Sequence, residues 1–295
     1  MKKYFNYFIY ISIIFLIITL IRYKYLGLPK VVYIQYFILS LVLLICGFIL
    51  QGVTWKIILG EFNFKISYND SIKSFGLSIF GKYIPGKLWM LLGKAGYIVK
   101  YYDYPTDSIL TISFNAQFIS LWVGLFLGAF GLIFLKITFL FGLFVLLSWI
   151  FLTLVVFSNK AHIFVQGLLK KILKKKINIP CFSFSTVFRI LPFFTFYWLL
   201  YSIGFFFLYA SMTNNLNLLI LFVFPLAGTL GTIMVIAPGG LGIREGIIVS
   251  YLAAIGLNLF EATTISVFSR VWFLIGEFSI FIIALLLKRK VRKNE

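Results

Sequence analysis

Residues 33–59 read YIQYFILSLVLLICGFILQGVTWKIIL, a continuous apolar run that carries one charged residue, Lys56. Comparable runs recur along the chain, which is 62% hydrophobic and 12% charged. A helix of about 20 apolar residues crosses a hydrocarbon layer of ~30 Å, and a soluble protein cannot bury so many helices that are apolar on every side. Strands of a membrane barrel would instead alternate apolar and polar residues over about 10 positions. The sequence therefore predicts an all-α polytopic membrane protein.

The apolar runs divide the chain into two halves of matching order, about 1–135 and 136–295, within a single membrane domain. Each half is predicted to contain two full spans, a hairpin interrupted by Pro-Gly, and a third full span. About six full spans are expected, at residues 7–21, 33–59, 108–135, 137–157, 187–210 and 262–287. No small-residue cleavage site follows 7–21, so this run is interpreted as a retained span rather than a signal peptide.

Because a hairpin enters and leaves the membrane on one side, each half is expected to cross three times. An odd number of crossings inverts the second half relative to the first, which is the arrangement of inverted-repeat transporters. The second interrupted unit begins with residues 218–236, which are also numerous enough to cross fully. Two crossings there would leave the orientation of the halves unchanged.

The net charge of +19 is distributed like a membrane orientation signal rather than like a nucleic-acid surface. Lysines and arginines concentrate in the 159–176 loop and the 288–293 tail, whereas the 211–217 and 256–261 loops carry none. Basic loops face the cytoplasm, so we predict a plasma-membrane protein with both termini inside. Only the basic residues of 22–30 oppose this assignment. One histidine and two cysteines predict no metal site and no cofactor.

The two interruptions read FGKYIPGKLW at residues 80–89 and APGGLGIREG at residues 237–246. Proline ends a helix and glycine lets the chain turn without a Cβ clash. The residues assigned to the helix breaks are Gly81, Pro85, Gly86, Pro238, Gly239, Gly240 and Gly242. A new helix is expected after each break with a basic side chain in its first turn, and such a helix start suits phosphate. The alternative is that both segments are ordinary loops between helices.

Two charges lie within the last predicted span, Arg270 and Glu277, seven residues apart and so nearly on one helix face. Intramembrane charges usually face a cavity or a partner. Glu277 is expected to pair with Arg270 or with a lysine such as Lys87, and a purely structural ion pair is the alternative. Asn115 and Gln117 are expected either to line the same cavity or to form interhelical hydrogen bonds.

On these residues the chain resembles the lysylphosphatidylglycerol synthase transmembrane-region family, the flippase-like domain that also forms the N-terminal half of bacterial multiple-peptide-resistance factors. The two break motifs carry the resemblance, with support from Trp55-Lys56 and Arg270. The resemblance implies translocation of lipids, or of lipid-linked intermediates, between leaflets. The sequence ends at Glu295 without the soluble synthase domain, so aminoacylation by this chain alone is not expected.

The leading hypothesis is a non-enzymatic translocator of an anionic phospholipid or a polyprenyl-phosphate-linked intermediate. The residues predicted to hold the lipid phosphate are Lys82, Lys87, Arg244 and Arg270, oriented by Glu245 and Glu277. One alternative is a membrane-embedded glycosyl- or aminoacyl-lipid transferase, for which Asp103 and Asp107 are the only close acidic pair. Another is a subunit that presents substrate to a separately encoded lipid-modifying enzyme. The sequence is also compatible with a homo-oligomer, and nucleic acid is not an expected partner.

Overall fold

The structure is a computed structural model that describes residues 31–84, 88–135, 139–161, 163, 167, 182–213, 215–233, 240 and 242–288. Regular structure within these ranges is entirely helical. The α-helices are α1 (Ile34–Glu61), α2 (Tyr68–Ser78), α3 (Trp89–Tyr102), α4 (Thr106–Phe130), α5 (Phe139–Phe157), α6 (Phe184–Thr213), α7 (Val223–Ile233), α8 (Ile243–Ala254) and α9 (Leu259–Leu286). Short 3-10 helices follow α2 (Ile79–Tyr83) and α4 (Gly131–Phe134) and precede α7 (Leu218–Phe222).

Five of these helices are long and apolar enough to cross a membrane: α1, α4 with its 3-10 extension, α5, α6 and α9. They coincide with five of the six predicted full spans, and the sixth, at 7–21, lies outside the described residues. The prediction of an all-α polytopic membrane protein is therefore confirmed. Polar side chains inside the spans bond to their own helix, as when Thr54 Oγ1 donates to the Leu50 carbonyl at 2.7 Å. Such bonds satisfy hydroxyl groups where water is absent.

Helices α1 and α6 form an antiparallel pair that runs through the middle of the molecule. At one end the N–H groups of Val32 and Tyr33 donate to the Ser211 carbonyl at 3.0 Å. At the other end Arg189 Nε lies 2.9 Å from Glu61 Oε2. The start of α1 and the end of α6 lie together at one end of the molecule, and the end of α1 and the start of α6 lie together at the other. We call the end that holds Glu61 and Arg189 the basic end and the opposite one the apolar end.

The remaining long helices pack across the two halves of the chain. Helix α2 lies antiparallel to α9, since Lys73 Nζ donates to the Leu287 carbonyl at 2.9 Å. Helix α4 lies antiparallel to α7, where a Cβ added to Gly128 would come within 2.5 Å of Leu226 Cα. The last long helix of each half therefore packs on the short helix that opens the hairpin of the other half.

The first interrupted segment, α2 to α3, is a hairpin closed at the basic end. Tyr102 donates its hydroxyl to Asp70 Oδ2 at 2.7 Å and accepts the Ser67 N–H at 3.1 Å. The second segment, from the 3-10 helix at 218–222 to α8, is closed at the apolar end, where the Tyr251 hydroxyl donates to the Leu219 carbonyl at 3.1 Å. From these closed ends the hairpins extend into the molecule in opposite directions, up to Ile84 and Ile233, the last described residues before each tip.

The first break is shorter than the sequence predicted. Gly81 and Lys82 belong to the 3-10 helix that prolongs α2, and extended backbone begins only at Ile84. At the second break Gly240 has φ +73° and Gly242 has φ +80°, a region that favours glycine. The other predicted break residues, Pro85, Gly86, Pro238 and Gly239, lie outside the described residues, as does the site residue Lys87.

Candidate functional site

A cavity of about 430 Å³ is lined by described residues of both hairpins, among them Lys82 and Leu88 of the first and Ile233 and Gly240 of the second. Both halves contribute to its wall, which is mostly aromatic and aliphatic. Its polar lining consists of Gln51, Gln117, Ser120, Tyr197, Tyr201, Thr232, Lys82, Arg244 and Arg270. The structure thus brings together the three predicted phosphate-binding cations that it describes. We call this space the central cavity.

Lys82 is positioned by the 3-10 helix and forms an ion pair with Glu277 of α9. The Glu277 side chain has no exposed surface, and the Tyr83 hydroxyl donates to its Oε2 at 2.9 Å. Glu277 therefore pairs with a lysine, Lys82, although the lysine named for it from sequence, Lys87, lies outside the described residues. The pairing joins positions 195 residues apart, so helix periodicity within α9 gave no sign of it.

Arg244 lies in the first turn of α8, as the sequence predicted, and is buried. Its guanidinium carbon stands 4.6 Å from the ring centre of Phe224 and 4.8 Å from that of Phe273, an arrangement that favours a desolvated cation. Its Nη2 donates to the Ser269 carbonyl at a long 3.4 Å. Its Nε has no hydrogen-bond acceptor among the described residues. Arg244 therefore retains a donor for an anion.

Arg270 extends from the middle of α9 and faces Glu245, with 3.8 Å between Nη1 and Oε1. The second oxygen of Glu245 accepts the Gly242 N–H at 2.8 Å and so caps α8. One carboxylate thus orders the α8 N-terminus and faces a buried arginine. The two predicted orienting carboxylates contact different cations: Glu277 contacts Lys82, and Glu245 lies opposite Arg270.

The described site contains one more positive than negative charge, since three cations face two carboxylates. Desolvated charges are costly unless they are compensated. A monoanion such as a phosphodiester would balance the excess, and the surrounding rings would accept apolar groups attached to it. No group of three potential metal ligands occurs in the part of the chain that the structure describes.

Sequence reasoning missed several lining residues because they look like ordinary span residues. Gln51 accepts the Tyr201 hydroxyl at 2.9 Å, and the Tyr197 hydroxyl bonds Ser120 at 2.5 Å. Gln117 lines the central cavity as expected. The other amide considered with it, Asn115, is buried but does not line the cavity.

The acidic pair of the transferase alternative lies away from the central cavity. Asp103 is the left-handed C-cap residue of α3, and Asp107 stands in the first turn of α4. Both side chains are exposed at the basic end, and neither lines the central cavity. Their positions are those of residues in a helix connection.

Comparison with protein families identifies one match. The family described as "Lysylphosphatidylglycerol synthase TM region" matches residues 11–276, nearly the whole chain. The match confirms the family predicted from the two break motifs. Neither the curated proteins nor the solved structures gave a match.

Proposed function

The chain belongs to the lysylphosphatidylglycerol synthase transmembrane-region family, and on that premise we propose that it moves a phosphate-bearing lipid between leaflets through the central cavity. The observation that carries the proposal is the cluster of Lys82, Arg244 and Arg270 in the wall of an aromatic cavity, where the described residues supply two carboxylates, Glu277 and Glu245, for three cations. The substrate class is an anionic phospholipid or a polyprenyl-phosphate-linked lipid, because both present the phosphate that this cluster would bind. Translocation requires no covalent chemistry from the protein.

The shape of the cavity suits an amphipathic substrate. Its cations lie between α8, α9 and the first hairpin, whereas α5 contributes apolar side chains such as Phe151. Phe151 is 50% exposed on the outer surface of α5, so the cavity reaches the lipid-facing side of the bundle there. A headgroup can occupy the cationic part while the acyl or prenyl chains remain in the bilayer.

Alternating access is supported by the reciprocal packing of the two halves. Helices α1 and α6, which hold the same place in the order of the two halves, pack on each other, and the pair α2–α9 corresponds to the pair α7–α4. The two hairpins open at opposite ends. An inverted repeat would produce this arrangement. Helix α8 has 12 residues and is about 18 Å long at 1.5 Å per residue. This is shorter than a hydrocarbon layer of ~30 Å, which supports a re-entrant second hairpin over two full crossings.

The charges of the two ends orient the molecule in a plasma membrane. The basic end carries Lys56, Lys65, Lys73, Lys100, Lys160, Arg189 and Lys288. The described residues of the apolar end, 31–33, 131–135, 211–213, 215–222 and 254–261, carry no lysine or arginine, and the sequence adds Lys30 and Lys136 next to them. The basic end therefore keeps the larger number of cations. By the positive-inside rule the basic end faces the cytoplasm. The first hairpin then opens to the cytoplasm and the second to the outside.

Reconstitution of the purified chain tests the proposal. Vesicles containing a fluorescent phosphatidylglycerol are treated with a membrane-impermeant quencher, and the quenched fraction reports transfer from the inner leaflet. We expect transfer by the wild type and its loss in Arg244→Ala, because the alanine removes a buried cation that faces the cavity. The matched control is Arg189→Ala, whose side chain is 60% exposed at the basic end and whose loss leaves transfer unchanged.

Equal transfer by Arg244→Ala and the wild type, at equal amounts of folded protein, would contradict the assignment of the site. If the wild type alone transfers no lipid but retains phosphatidylglycerol through purification, the chain presents substrate to a separate enzyme instead. Native mass spectrometry of the purified protein identifies the retained lipid.

A further inference from the structure

A further buried cation, Lys94, lies outside the cluster described above. Lys94 of α3 is 7% exposed and lines a small cavity of about 30 Å³. Its ammonium nitrogen stands 4.4 Å from the ring centre of Trp55. No carboxylate among the described residues pairs with it. An uncompensated lysine is rare at such depth and marks a functional site by default.

A second polar group in the wall of the small cavity has no hydrogen-bond acceptor. The indole N–H of Trp55 is buried and has no hydrogen-bond partner among the described residues. Thr54, which precedes Trp55 and also lines the small cavity, already donates its hydroxyl to the Leu50 carbonyl. Lys94 and Trp55 therefore present two donors to a space in which the described chain supplies no anion.

The small cavity is continuous in its lining with the central cavity. Gln51, Gln117, Ser120 and Tyr197 line both spaces, as does Met90. At about 30 Å³ the small cavity has room for water. Met90, one of the shared residues, is a flexible side chain, and a change of its rotamer would be needed to admit a larger group.

The order of lining residues along the helices places the small cavity nearer the basic end. On α1, which runs toward the basic end, Phe48 and Gln51 line the central cavity, and Trp55 and Ile58 line only the small one. Helix α6 runs away from the basic end. Phe194, which lines only the small cavity, precedes Trp198 and Tyr201, which line the central cavity. Lys94 thus lies between the central cluster and the basic end of the molecule.

We propose that Lys94 and Trp55 form a second anion-binding station, which holds a phosphate on the basic-end side of the central cavity before or after it contacts Arg244. The inference rests on the proposed translocation, and it adds an intermediate position to the path of the headgroup. The ligand chemistry is that of a phosphate oxygen, supplied by a lipid headgroup or by free inorganic phosphate.

The test compares Lys94→Met, which removes the charge at similar length, with Lys94→Arg, which keeps it. The control is Lys56→Met, since Lys56 contacts Tyr68 at the basic end and lines neither cavity. Thermal unfolding in detergent is measured without ligand, with phosphatidylglycerol and with inorganic phosphate. Transfer in vesicles is measured against the mole fraction of phosphatidylglycerol.

Lys94→Met is expected to be at least as stable as the wild type without ligand, because it removes an uncompensated buried charge. Its stabilisation by phosphatidylglycerol is expected to be smaller than that of the wild type. The lipid fraction for half-maximal transfer should rise about tenfold, the value of one charge-assisted hydrogen bond. Lys94→Arg and Lys56→Met should both behave like the wild type.

The proposed second station would be refuted if phosphatidylglycerol stabilised Lys94→Met and the wild type equally and both reached half-maximal transfer at the same lipid fraction. So would a loss in Lys94→Arg as large as that in Lys94→Met, because the residue would then act by packing. If Lys94→Met does not fold, Lys94→Gln takes its place in the same comparison. Lys94-dependent stabilisation by inorganic phosphate assigns the station to free phosphate. Lys94-dependent lipid stabilisation without any transfer by the wild type keeps the station and refutes translocation.

Discussion

Replacing Glu277 by glutamine removes one partner of a buried ion pair while preserving the shape of the side chain. Glu277 has no exposed surface, whereas its partner Lys82 keeps 22% of its side-chain surface accessible. Breaking a buried pair usually costs 3–5 kcal/mol, because the remaining charge is left uncompensated. Since Lys82 is partly accessible, we expect Glu277→Gln to lower the free energy of unfolding by about 3 kcal/mol, at the low end of that range.

The double variant Glu277→Gln/Lys82→Met removes both charges. We expect its stability to lie within about 1 kcal/mol of the wild type, because replacing both partners of a buried pair is often neutral. The control is the exposed pair at the basic end, where Glu61→Gln removes the partner of Arg189 and should cost less than about 1 kcal/mol.

The assay is unfolding by a denaturing detergent in mixed micelles, followed by tryptophan fluorescence and converted to a double-mutant cycle. Phosphatidylglycerol is expected to restore part of the stability of Glu277→Gln, because its phosphate substitutes for the missing carboxylate beside Lys82. Additive effects of the two single replacements would refute the pairing. If detergent added without lipid restored the stability of Glu277→Gln as well as phosphatidylglycerol does, the anion-binding interpretation would be refuted.

Two further predictions follow from the packing and the orientation. Gly128→Val should reduce the amount of folded protein severely, because its side chain would overlap the Leu226 backbone. The control is Gly60→Val, which should fold normally because no atom lies within 4 Å of a Cβ at that position. Fluorescence-detected size-exclusion chromatography compares the folded amounts of the two variants. In a cysteine-free background, cysteine at Asn258 should react with a membrane-impermeant maleimide in intact cells, and cysteine at Lys65 only after lysis. The reverse pattern would refute the assignment of the basic end to the cytoplasm.

Much of the fold was predictable because the bilayer makes the relevant signal local. A span needs about 20 apolar residues in sequence, so helix positions could be located without knowledge of any contact. The predicted span at 187–210 corresponds to α6 at Phe184–Thr213, and that at 262–287 to α9 at Leu259–Leu286. Arg270 could be selected for the same reason, since a charge inside an apolar run is visible as an exception. Arg244 could be selected because it follows a Pro-Gly break at the start of a helix.

Lys94 shows where this reasoning stops. On the sequence it is one lysine in a short amphipathic stretch with glycine on both sides, at positions 93 and 96. Its burial depends on α1 and α6, which place Trp55 and Phe194 around it. Hydropathy along α3 contains no information about either helix, so the lysine gave no signal of a site.

The sequence alone determined the membrane class, the positions of the long helices, the family and the cations of the candidate site, because each depends on residues close together in the chain. Only the tertiary structure decided that Glu277 pairs with Lys82 and that Glu245 faces Arg270. It also decided that Gln117, but not Asn115, lines the central cavity. These outcomes depend on how helices from the two halves pack, and a difference of a fraction of a helical turn changes which side chain faces the cavity.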